Sequence, residues 1–73
     1  MREIGKVVGT VGNSLIVKAK IVPPMESKVY DKYRKEIGYV KKIFGSVDSP
    51  YVEVRVTAKI DLLKYVNKKV FMR

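Results

Sequence analysis

Residues 51–58 alternate without a break, with Val52, Val54, Val56 and Ala58 on one side and Tyr51, Glu53, Arg55 and Thr57 on the other. A period of two belongs to an extended strand with one buried face, and the same order wound into a helix would scatter its apolar residues around the axis. No long helical repeat occurs elsewhere in the chain to cover that face, so other strands have to cover it.

Further strands can be read on both sides. Residues 4–11 are valine-rich and carry Gly5 and Gly9, which suit a strand that bends or is closely approached. Gly12-Asn13 has the backbone freedom of a tight hairpin turn and leads into residues 14–22, where Leu15, Val17, Ala19 and Ile21 share one face and Ser14, Lys18 and Lys20 the other. Pro23-Pro24 cannot donate to a ladder and ends that strand in a surface loop. Residues 28–30 form a short strand, and 31–36 a turn or one irregular helical turn. Residues 45–50 form a loop by their glycine, serine, aspartate and proline content. Asp61 caps a single helical turn over 61–66, Asn67 turns the chain, and residues 69–72 make the last strand. Counting residues 37–44 as well, the pattern predicts an all-β fold: a small six-stranded antiparallel barrel, closed or nearly closed, formed by one domain over residues 1–73.

Residues 37–44 are the ambiguous segment. On strict alternation Ile37, Tyr39 and Ile43 lie on one face and Val40 and Phe44 on the other, yet a strand of a small barrel has only one inward face. Either a bulge near Gly38 resets the alternation, or the second apolar face is covered by a partner.

With 73 residues and no cysteine, the chain has no disulfide or thiolate zinc site to hold it, and its stability must come from packing. Histidine, glutamine and tryptophan are also absent, and lysine and glutamate supply most of the polar surface, a bias that points to a hot environment. No apolar run approaches the roughly 18–20 residues of a membrane span, and the first residues lack a signal-peptide core, so a soluble intracellular protein is expected. Sixteen basic against seven acidic residues give a net charge of +9, which draws the chain towards nucleic acid or an acidic partner without choosing between them.

Catalytic sets are missing. Without histidine or cysteine, the commonest general base and the thiol nucleophile are gone. Glu3, Glu26, Asp31, Glu36, Asp48, Glu53 and Asp61 are too scattered for a metal loop and read as caps, turn residues or solvated strand positions. Gly5, Gly9 and Gly12 do not have the spacing of a phosphate-binding loop. Neither an enzyme, nor a metal, nor a cofactor, nor a small-molecule substrate is expected. Tyr39 with Lys41, and Tyr51 with Arg55, are the best candidates for stacking and neutralising a nucleic acid, although a strand tyrosine is more often a packing residue.

The run Ile37-Gly38-Tyr39-Val40-Lys41-Lys42-Ile43-Phe44-Gly45-Ser46-Val47-Asp48-Ser49-Pro50-Tyr51-Val52 resembles the signature of the glycine-and-arginine-rich protein family of H/ACA ribonucleoproteins, in its short archaeal form. Ile4-Gly5-Lys6-Val7, Pro23-Pro24, Val29-Tyr30-Asp31 and Val66-Asn67-Lys68-Lys69-Val70-Phe71 extend the likeness over nearly the whole chain. Ser46 stands where the family usually has proline, leaving the loop less rigid, Asn67 stands where glycine is frequent, and the arginine-glycine tails of eukaryotic relatives are absent.

The resemblance implies a barrel of the translation-elongation-factor second-domain type. It also implies a non-catalytic accessory subunit that docks on a dyskerin-type pseudouridine synthase and meets guide RNA and ribosomal RNA only through the particle. There it would promote guide-directed pseudouridylation of rRNA, and so ribosome biogenesis, by aiding substrate loading and product release. The expected location is the cytoplasm of an archaeal cell, with eukaryotic relatives in the nucleolus. Ile37, Val40, Ile43, Phe44, Gly45, Val47, Pro50 and Tyr51 are the expected partner interface, with Phe44 and Tyr51 as anchors and Gly45 present for backbone geometry. The alternative is a barrel that binds RNA directly, OB-like or translation-factor-like, for which the net charge and exposed lysines speak.

Overall fold

The computed structural model describes all 73 residues. Six strands, β1 (Arg2–Val11), β2 (Ser14–Ala19), β3 (Lys28–Tyr30), β4 (Glu36–Gly45), β5 (Pro50–Val56) and β6 (Lys69–Met72), close a barrel in the order β1-β2-β5-β4-β3-β6. Every neighbouring pair is antiparallel, so the expected six-stranded antiparallel barrel is the one formed. Closure leaves no edge strand with unpaired backbone groups.

Valine dominates the interior. Val7, Val17, Val29, Val40, Val52, Val54, Val56 and Val70 point inward with Ile4, Leu15, Ala19 and Ile37, because a narrow lumen is filled well by short β-branched side chains on a pleated surface. A 3-10 turn, Leu62–Tyr65, is capped by Asp61 Oδ1, which accepts the amide of Leu63 at 3.1 Å. Ile60, Leu62, Tyr65 and Val66 around it pack against the core. The hairpin tip is tied to β5, since Asn13 Nδ2 donates to the Val56 carbonyl at 2.8 Å. No helix of the structure is long and apolar enough to cross a membrane.

Strand ends depart from the sequence pattern for local reasons. β2 stops at Ala19 rather than Val22, leaving Ile21 outside the ladder. β5 stops at Val56 rather than Ala58, because the amides of Thr57 and Ala58 both turn onto the Ile37 carbonyl, at 3.0 and 3.3 Å.

Of the two readings of residues 37–44, the reset alternation is the one the structure shows, with one slip at Lys41 and a second beside Gly38. The ladder between β4 and β5 slips between Val40 and Lys42, so Val40 opposes Val54 while Ile43 opposes Val52. Lys41 absorbs the extra residue, and Val40 and Ile43 come to lie on the same, inward side. A second slip, between β3 and β4, falls between Val29 and Tyr30 as they oppose Gly38 and Glu36, and Ile37 also faces inward. Gly38 takes part in this crowding: a Cβ there would run into the Arg55 carbonyl.

Candidate interaction surfaces

Four of the eight residues expected at the partner interface lie in or against the core. Ile37 and Val40 have no exposed surface and belong to the core, because the register slips turn both inward. Pro50 is also buried at the start of β5, and Ile43 is only partly exposed against the core. These four do not present a face to a partner.

The other four gather at the β4–β5 hairpin. Phe44 opposes Tyr51 on the outer face, and their rings stack with centroids 5.8 Å apart and planes inclined by 20°. Phe44 keeps 39% of its surface exposed, and Val47, at the tip of the loop, 93%. Gly45 reverses the chain at φ +91°, a conformation that disfavours a side chain, and any Cβ would sit 3.3 Å from the Tyr51 ring. Ser46 closes the loop with its side chain, its Oγ accepting the Ser49 amide at 3.1 Å.

Register also assembles something the sequence hides. Lys69 opposes Lys6, Lys6 opposes Lys18, Lys18 opposes Tyr51, and Tyr51 opposes Phe44. Directly opposed residues share a face, so a row of three lysines runs around the barrel and ends on the aromatic stack. The three lysines come from β6, β1 and β2, and the aromatic pair from β5 and β4.

A second concave surface lies at β6. A groove of about 440 Å³ is lined by Asp31, Lys32, Tyr33, Lys64, Tyr65, Asn67, Lys68, Lys69 and Phe71. Its one carboxylate is occupied: Asp31 Oδ1 accepts the amides of Tyr33 and Lys35 at 2.8 and 3.0 Å, and Oδ2 accepts the Tyr65 hydroxyl at 3.1 Å. Burial, then the hydrogen bond to Asp31 and its negative charge, push the Tyr65 hydroxyl pKa above its ordinary value, so it stays a neutral donor. A net charge of +9 does not locate this surface, and the groove arises where the residue 31–35 loop meets the 3-10 turn and β6.

No three or more acidic residues come together as a possible metal site. Several of the acids have other partners. Glu3 pairs with Lys20 at 3.1 Å and Lys69 at 3.8 Å, Glu36 pairs with Lys28 at 3.9 Å, and Glu53 Oε2 accepts the Ser14 hydroxyl at 2.7 Å.

A small closed barrel that offers an exposed aromatic patch and a basic groove belongs to the class of β-barrel binding modules. Over residues 1–73 the chain matches the model of the Gar1/Naf1 RNA binding region, and it belongs to that family. Membership supports an accessory or RNA-binding role in an H/ACA-type ribonucleoprotein. No curated protein matches the chain.

Proposed function

We propose that this chain is a non-catalytic accessory subunit of the H/ACA particle that docks on a dyskerin-type pseudouridine synthase through the β4–β5 hairpin. There it promotes guide-directed pseudouridylation by aiding substrate loading and product release. The observation that carries the reading is the Phe44–Tyr51 stack with exposed Val47 beyond it. An apolar loop tip and a half-covered aromatic pair lose water-exposed surface when a second protein covers them, and such aromatics tend to dominate binding at an interface centre. The lysine row ending on Tyr51 supplies a charged rim on one side of this patch.

Reconstitution of a guided pseudouridylation reaction with and without the chain tests the function. The expected result is a large gain in turnover on addition, with binding of guide RNA to the synthase unchanged. Equal turnover in both reactions would remove the accessory role.

A further inference from the structure

The groove at β6 lies away from that hairpin. In the closed order, β6 stands three strands from β5 in either direction, so the groove opens on the side of the barrel opposite β5. Four lysines line it, and the single acid among its residues is already held by two amides and a phenol. Lys32, Lys64 and Lys68 form no ion pair, and only Lys69 has a counter-charge, Glu3 at 3.8 Å. Like charges brought together without neutralisation repel one another, and a polyanion relieves that repulsion.

One more feature selects among polyanions. Tyr33 stands 78% exposed at the groove's edge, and the Lys32 ammonium lies 5.2 Å from its ring centroid. The Asp31 carboxylate holds the backbone beneath that ring by accepting the Tyr33 amide. An aromatic ring held out beside several free lysines is the arrangement that stacks an unpaired base while its phosphates are neutralised. A merely acidic protein segment would use the lysines and leave the ring idle.

We propose that this groove binds single-stranded RNA: Lys32, Lys64 and Lys68 contact successive phosphates, and a base stacks on Tyr33. Lys69 lies both in the groove and at the start of the outer lysine row, so a longer strand continues from the groove over Lys6 and Lys18. The groove itself uses none of the hairpin residues; only the outer row of Lys69, Lys6 and Lys18 is shared with the rim of the docking patch.

The test uses the 73-residue chain and a fluorescein-labelled oligouridine of about 12 nucleotides, within the span a small barrel covers. Anisotropy titrations over a salt series give affinity and salt slope together. Three phosphate contacts give a slope of log K against log salt of about −2 for a single strand. The triple variant Lys32→Ala, Lys64→Ala, Lys68→Ala should remove most of that slope and weaken binding at low salt by about tenfold or more. The control triple variant Lys41→Ala, Lys42→Ala, Lys59→Ala removes the same charge elsewhere and should keep affinity within about threefold. Tyr33→Ala should weaken binding about fivefold or more with the slope unchanged. All six lysines and Tyr33 are exposed, and circular dichroism checks that each variant stays folded.

Equal losses in the two triple variants would mean diffuse attraction to the whole basic surface and overturn the site. So would a groove that holds polyglutamate but not oligouridine, which would make it a protein-binding surface. An inert Tyr33→Ala would overturn the stacking half of the proposal. Phe44→Ala should leave RNA affinity untouched, and the groove variant should still bind the synthase, so neither reading falls with the other.

Discussion

Replacing Phe44 with alanine separates folding from docking at the hairpin. The ring is partly covered and keeps 39% of its surface in water. Burying a whole phenylalanine side chain contributes up to about 3 kcal/mol, so the covered fraction corresponds to about 1–2 kcal/mol, a range that also takes in the stack on Tyr51. No cavity is left, because the site is open to solvent. In a domain of this length that loss lowers the melting temperature by roughly 5–15 °C. Ile37→Ala provides the contrast. Its side chain has no exposed surface, and truncation costs about 2–5 kcal/mol, out of a total stability of about 4–11 kcal/mol for 73 residues. Affinity should behave in the opposite way. A central aromatic anchor loses about 2 kcal/mol or more on truncation, roughly thirtyfold in Kd for the synthase. Urea denaturation measures the first quantity, and calorimetric titration of the folded variant into the synthase measures the second. A folded Phe44→Ala chain that binds within about twofold of the parent would refute the anchor, given that hot-spot losses are far larger. A stability loss equal to that of Ile37→Ala would refute the claim that the ring belongs mainly to the surface.

Two further substitutions probe the barrel. Gly38→Ala forces a methyl group against the Arg55 carbonyl and the Val56 backbone, whereas Gly9→Ala meets nothing within 4 Å. The first should abolish the native dispersion of a proton–nitrogen correlation spectrum, and the second should cost less than about 1 kcal/mol; similar behaviour of the two would contradict the close approach of β4 and β5. Tyr65→Phe removes the hydrogen bond to Asp31 at a cost of about 1 kcal/mol at neutral pH. Because the folded state raises this phenol above its ordinary value of 10.0, its contribution is complete below that pH and is lost as pH rises through the raised value. The stability gap between parent and variant should therefore close in alkali, and parallel curves of stability against pH would refute the assignment.

Much of the architecture was legible in residue order because its causes are local. Alternation marked the inward valines of β5 and the apolar face of β2 up to Ala19. Gly12-Asn13 marked the first hairpin and Asp61 the cap of the 3-10 turn. At the hairpin, the family signature drew attention to Phe44, Val47 and Tyr51, which the structure leaves on or near the surface. Ile37 and Val40 looked equally available, since a simple alternation cannot reveal a slipped register.

Residue order by itself determined an all-β chain with valine-filled strands and no histidine or cysteine chemistry, because side-chain type and period two act between near neighbours. Tertiary structure alone decided which way β4 points after Lys41, that Lys69, Lys6 and Lys18 lead to Tyr51, and that Lys32 shares a groove with Lys64 and Lys68. Those arrangements depend on pairing between distant strands, where one inserted residue exchanges the inside of a barrel for its outside.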